Sequence, residues 1–279
     1  MNVSAALDWL FSTQFFGIKL GLDNTRKLLA AAGADRINAT VVHVAGTNGK
    51  GSTCAMIEAL ARAQGYVTGL FTSPHLVDFS ERIRVNGDMI TPDALAEEIS
   101  FLKQLAEGWE QPPTFFELAL AVALRHFRKN SVNFIILETG LGGRLDATNA
   151  VPKDIAVLAP IGLDHQQYLG DTLEEIAQTK SGIIKPGCTV VSARQQENVR
   201  LILRKKAESL NCIYTEAEPE QMSIEKEDYK GLTFSYKKYA HMQNHIAGEC
   251  QRENLSVALE VIESLRKLGY QIEEGAVRD

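Results

Sequence analysis

Apolar residues fall along this chain in two alternating textures: short, nearly continuous β-branched runs, and longer stretches with helical periodicity. The runs Val41-Val42-His43-Val44, 66–72, Asn133-Phe134-Ile135-Ile136-Leu137-Glu138, Asp154-Ile155-Ala156-Val157-Leu158, 188–193 and 212–215 predict strands. Between them, helices are predicted at 5–11, 25–32, 54–63, 92–107, 116–128, 172–180, 198–209 and 252–268. Asp23 or Asn24 is the expected cap of the second helix, which stops at Gly33, and Thr172 with Glu175 has capping-box spacing. The last helix sets Leu255, Ala258, Leu259, Ile262 and Leu265 on one face. Two segments break the alternation. Around Asn86-Gly87, residues 79–90 predict a short hairpin or extended loop, and 216–246 turn polar and aromatic, as a small antiparallel appendage would. The fold class expected is α/β: a mostly parallel, doubly wound sheet with helices on both faces, plus that appendage, as one domain over 1–279.

The densest chemistry follows the first strand, in Val44-Ala45-Gly46-Thr47-Asn48-Gly49-Lys50-Gly51-Ser52-Thr53. Strand, glycine loop and helix in that order form a phosphate cradle: glycines let backbone N–H groups approach an anion, and the helix N-terminus adds partial positive charge. Lys50 supplies a cation, and Ser52 or Thr53 a hydroxyl within reach of bound magnesium. Val44 stands where the usual phosphate-loop spacing has glycine, so the motif is a shortened variant.

Composition narrows the field. A net charge of -6 argues against nucleic acid as a partner. No apolar run reaches membrane-spanning length and no signal peptide is visible, so a soluble cytoplasmic protein is expected. Cys54, Cys188, Cys212 and Cys250 have no paired spacing and read as buried thiols.

Other candidates sit at strand ends, where open parallel sheets hold ligands. The apolar strand ending in Glu138 delivers one carboxylate beside the phosphate loop, where a magnesium ligand belongs. Thr139-Gly140-Leu141-Gly142-Gly143-Arg144-Leu145-Asp146-Ala147-Thr148-Asn149 is too polar and glycine-rich for a core. Ser73-Pro74 could merely start a turn, His165 could be structural, and Lys180 could be a solvated charge. His43 and His126 read as structural.

Five stretches together resemble one family. They are Ala45–Thr53, Thr72-Ser73-Pro74-His75-Leu76, 141–149, Leu163-Asp164-His165 and Lys180-Ser181-Gly182-Ile183-Ile184-Lys185. They look like the signatures of the bacterial dihydrofolate synthase/folylpolyglutamate synthases, of the Mur ligase superfamily, over about residues 17–279. The resemblance implies an ATP-dependent ligase adding L-glutamate to dihydropteroate or reduced folates, acting as a monomer on small molecules. It implies that Thr47, Asn48, Gly49, Lys50, Gly51 and Ser52 hold ATP phosphates, and that Asn254 recognises adenine. Residues matching Ser73, Glu138 and His165 bind two magnesium ions in the family, and Lys180 matches its carbamylated lysine. Lys50, His165 and Lys180 would be the catalytic set. Thr114, Phe115, Phe116 and Glu117, with Leu145, Asp146 and Ala147, would line the pterin pocket, joined by a less similar stretch at 12–15. Gly248-Glu249-Cys250-Gln251 departs from the family's Gly-His-Gln.

Family members continue into a second α/β domain, whose motifs do not occur in these 279 residues. The chain is therefore expected to be the ATPase domain without the glutamate-ligase domain, inactive alone and with an exposed apolar patch near its cleft. Read from the loop only, a phosphate-loop ATPase or kinase and a non-catalytic nucleotide-binding domain remain open.

Overall fold

The computed structural model describes residues 1–16, 21–246 and 248–275. In chain order it has α1 (Val3–Ser12), α2 (Asp23–Ala31), β1 (Thr40–Ala45), α3 (Lys50–Ala63), β2 (Thr68–Phe71), β3 (Ile83–Val85) and β4 (Asp88–Met89). Then follow α4 (Pro92–Leu105), α5 (Phe115–Lys129), β5 (Phe134–Glu138), β6 (Ile155–Leu158), α6 (Gln166–Leu169), α7 (Leu173–Lys180) and β7 (Thr189–Ser192). The chain continues through α8 (Glu197–Ser209), β8 (Tyr214–Glu216), β9 (Met222–Asp228), β10 (Gly231–Tyr236), β11 (Tyr239–Asn244) and α9 (Cys250–Lys267).

The main sheet runs β4-β3-β2-β5-β1-β6-β7-β8, parallel from β2 to β8, with the β3–β4 hairpin antiparallel at one edge. The expected doubly wound sheet is therefore present. Strand periodicity sorts the core by face. Val42, Val44, Phe134, Ile136, Ile155 and Val157 face α3 and α9. On the opposite face, Val41, Ile135 and Leu137 pack under α1, α2, α4 and α5, whereas Ala45, Ala156, Leu158 and Val190 pack under α7 and α8. That second face is thus divided into two apolar halves along β1.

The segment 216–246 forms the small antiparallel sheet expected, ordered β11-β10-β9. Met222, Leu232, Phe234, Tyr236, Tyr239 and Met242 join the core beneath it, so α9 is covered on two sides and buried well beyond its predicted face. Tyr236 clamps the layers by donating to Glu260 Oε1 at 2.9 Å. Two sequence-based expectations need correction. First, α2 has Leu22 at its N-cap with no side-chain cap. Asp23 pairs instead with Arg26, and Asn24 turns to Glu117. Second, only Cys54 and Cys188 of the four cysteines are buried; Cys212 is half-buried with its Sγ 3.9 Å from Cys188 Sγ, and Cys250 is exposed. Among the described residues no helix is long and apolar enough to cross a membrane.

Candidate active site

β1, β5 and β6 end side by side, and the loops leaving them carry most of the predicted residues. Leaving β1, the phosphate loop bends on Gly49, whose φ is +75°, and α3 begins at Lys50. The loop is tied to the end of β6: the Thr47 and Asn48 amides donate to the Pro160 carbonyl at 2.8 and 3.2 Å. The Thr47 hydroxyl bonds both the carbonyl and the amide of Gly162 at 3.0 Å. Lys50 donates to the Thr47 carbonyl at 3.2 Å, across the mouth of the cradle. Gly49 also lies against Asn254: a Cβ there would stand 2.2 Å from Asn254 Oδ1. The predicted adenine-side asparagine and the loop are therefore neighbours. Gly49→Ala combines that clash with a left-handed φ costing about 1–2 kcal/mol. A drop in nucleotide affinity of about tenfold or more, read by calorimetry, is expected together with a lower melting temperature.

Glu138 closes β5 and is buried, with Oε2 accepting the Ser73 amide at 3.0 Å. Burial pushes its carboxyl up to about 7, against the Ser73 amide, Lys50 and Arg82, which favour the anion. A carboxylate, a serine hydroxyl and the open side of Gly51, whose Cβ position is 3.6 Å from Glu138 Oε2, fit a hard, oxygen-seeking cation. His165 stands on the loop after β6 with φ +47° and a half-exposed ring 3.5 Å from Asp164. Among the described residues no three His, Cys, Asp or Glu side chains converge as a metal-ligating group. Lys180, read from sequence as a solvated charge if not functional, is buried at 3% exposure and donates to the Gly46 carbonyl at 2.6 Å. Burial, then Lys50, lowers its ammonium to about 8.

Beside Ser73 opens a cavity of about 710 Å³ lined by Ser73, Pro74, Thr114, Phe115, Phe116, Glu117, Leu145, Asp146, Ala147, Tyr168 and others. All seven residues predicted for a second substrate line it. Their carboxylates, however, are engaged within the fold. Glu117 accepts from Thr114 N, Thr25 Oγ1 and Asn24 Nδ2, as a capping-box residue that also fastens α2. Asp146 accepts the Gly140 and Leu141 amides on one oxygen and the Thr148 amide and hydroxyl on the other. Of the stretch 12–15, Ser12, Thr13 and Gln14 are described, and Gln14 lines the cavity; the Phe15 side chain lies outside the described residues.

Sequence reading missed Arg82. It is buried, faces Phe79 and Phe115 at 5.7 and 5.4 Å from the ring centroids, and bonds His75 Nδ1 at 2.7 Å on the cavity wall. The signal was the Asp78–Glu81 capping box, which fixes the turn that aims Arg82 inward. Apolar exposure beside the cleft is present as expected: Leu76 and Val77 are 92% and 90% exposed, with Leu163 and Tyr168 also outward.

A family model for the Mur ligase middle domain matches residues 44–262. The dihydrofolate synthase/folylpolyglutamate synthase of Bacillus subtilis is 36% identical over 272 residues, 94% of this chain and 63% of that protein. Human mitochondrial folylpolyglutamate synthase is 36% identical over 206 residues, covering 72% of this chain and 34% of its own. The chain thus spans under two thirds of the length of these curated relatives. Among solved structures, the apo form of L. casei FPGS superposes with TM-score 0.90 at 27% identity, over 100% of this chain and 70% of that one. E. coli FolC in complex with DHPP and ADP gives 0.83 at 29% identity, over 100% and 66%. With a model match running from the end of β1 into α9, this chain belongs to the Mur ligase family.

Proposed function

We propose that the chain is the nucleotide- and pterin-binding part of an ATP-dependent carboxylate–amine ligase that adds L-glutamate to dihydropteroate, reduced folates or both. One observation carries this reading: Glu138 stands between the phosphate loop and the aromatic cavity. Its carboxylate lies against Gly51 of the phosphate loop and accepts the amide of Ser73, which lines the aromatic cavity. A γ-phosphoryl group in the first site and a substrate carboxylate in the second would meet there. The E. coli relative, bound to DHPP and ADP, and an FPGS bound to AMPPCP and folate support both occupants.

A free carboxylate is a poor electrophile, so phosphorylation by ATP supplies the leaving group, and the amine of glutamate displaces phosphate from the acyl phosphate. In this reading Lys50 and the amides of Thr47, Asn48, Gly49, Gly51 and Ser52 hold the phosphates, and Asn254 contacts adenine. Ser73, Glu138 and His165 hold two magnesium ions, which neutralise phosphate charge when bound. Lys180 is carbamylated. The aromatic walls at Phe115 and Phe116 stack a pterin ring. Residues 1–279 act as the ATP-binding domain, and the glutamate site lies outside them.

The test is ADP release by the purified chain with dihydropteroate, with folate and with neither, alongside incorporation of labelled glutamate. Pteridine-dependent ADP release without detectable incorporation by residues 1–279, and incorporation once a second domain of the family is supplied, is the expected result. A phosphate ester on a hydroxyl, stable to hydroxylamine where an acyl phosphate would be trapped, would replace the ligase reading by a kinase. Robust incorporation by residues 1–279 alone would bring the glutamate site inside them.

A further inference from the structure

His43 is fully buried on β1, between Val41 and Ala45 on the same face, which belong to the two apolar halves divided along that strand. An unpaired polar group there would cost about 1–3 kcal/mol. Neither nitrogen is unpaired. Nε2 lies 2.7 Å from Thr148 Oγ1, and Nδ1 lies 2.9 Å from Lys153 Nζ.

The direction of each bond follows from proton counting. A threonine hydroxyl has one proton, and that of Thr148 goes to the Asp146 carboxylate, whose two oxygens accept from four donors. Thr148 Oγ1 must therefore accept from His43, which places the ring proton on Nε2. Nδ1 is then the acceptor, and Lys153 donates to it. Lys153 also donates to Asn149 Oδ1 at 2.6 Å, and Asn149 Nδ2 donates to the carbonyls of Arg144 and Gly182 at 2.9 and 3.2 Å. One directed chain, Lys153 to His43 to Thr148 to Asp146, thus enters the 139–150 loop at two points.

We propose that His43 and Lys153 are positioning residues of the second-substrate site: they lock the 139–150 loop in the shape that presents Leu145, Asp146 and Ala147 to the cavity, and fasten it to the strand bearing the phosphate loop. The proposal rests on the pterin-binding reading of that cavity. The groups facing the imidazole agree with a neutral ring. Burial, then Lys153 and Lys185, holds His43 well below the ordinary histidine range. Lys153 is itself lowered to about 7, by burial and Lys185 against Cys188 and Asp146. A lysine amine retains two N–H groups when neutral, so both of its acceptors stay satisfied in either state.

Nitrogen-15 spectra of histidine-labelled chain should show His43 as the neutral Nε2–H tautomer over roughly pH 6 to 9. His43→Leu keeps the volume and deletes both bonds; His43→Gln retains a donor toward Thr148. In the leucine variant the Gly140, Leu141 and Thr148 amides should exchange about tenfold faster or more. Its dissociation constant for dihydropteroate should rise about tenfold with that for magnesium-ATP changed less than threefold, and glutamine should restore most of the loss. Should leucine fail to fold, Lys153→Met cuts the same chain one residue earlier. An Nδ1–H tautomer, an imidazolium at pH 7, unchanged amide exchange, or equal loss of both ligands would overturn the proposal. The spectra and exchange need no ligand, so a wild-type chain that ignored dihydropteroate would sink the cavity's reading while these still decide the relay.

Discussion

Glu138→Gln should abolish the magnesium dependence of ATP binding while leaving the fold intact or firmer. The expected loss in affinity with magnesium present is well over tenfold, because a buried carboxylate at the phosphate loop becomes a neutral amide. The stability effect has the opposite sign. Burial raises this carboxyl from 4.5 to about 7 in the fold, so ionising it is harder there than in the unfolded chain. The penalty is absent below the unfolded value, grows between the two, and is complete above the folded one, on the order of 3 kcal/mol at most. Without ligand, the glutamine variant should therefore melt above wild type at pH 8 and together with it near pH 4. With magnesium-ATP saturating for wild type the gap should narrow, by about 1.4 kcal/mol for each tenfold of affinity lost, since wild type gains more of the ligand's stabilisation. Calorimetric titration with and without magnesium checks the first effect, and paired melting curves check the second. A variant with unchanged magnesium dependence would remove Glu138 from the metal site.

Local patterns and long-range geometry were unequally legible. The run ending in Glu138 could be read because a strand buried on both faces is continuously apolar, which leaves its terminal carboxylate conspicuous. Thr172 and Glu175 signal a capping box that the structure contains. Strand order could not be read, since nothing local tells β5 to insert between β1 and β2. Leu232, Phe234 and Tyr236 alternate with Thr233 and Ser235, yet neighbouring lysines and glutamates masked the face that seals α9. At the site, residue types were visible but their commitments were not. The resemblance names Asp146 as a pocket residue, and no local pattern showed that four donors of its own loop occupy its carboxylate. His43 reads as structural, which describes its burial and omits what it organises.

Lys180→Ala should lose about 100-fold or more of the turnover of a ligase containing this chain, with partial recovery in acetate or another short carboxylate. The lysine closes α7, is almost wholly buried, and reaches the Gly46 carbonyl at the entrance of the phosphate loop. Carbon dioxide adds only to a free amine: the nitrogen lone pair forms the new C–N bond, one proton is released, and a carbamate anion results. An ordinary lysine offers well under 1% of free amine at pH 8. Burial, reinforced by Lys50 and opposed by Asp164 and Asp146, lowers this one to about 8, so roughly half is free there. After addition the nitrogen keeps one N–H, so its bond to Gly46 can survive while a carboxylate appears beside the cradle. The amine protonates as pH falls through 8, so turnover at low bicarbonate should decline more steeply with falling pH than at high bicarbonate. Lys180→Met, which keeps the length and deletes the amine, should match alanine in activity while melting closer to wild type. Intact-mass measurement of the active, magnesium-loaded protein decides the chemistry: an unmodified Lys180 in fully active enzyme would leave the lysine as a donor to Gly46 and nothing more.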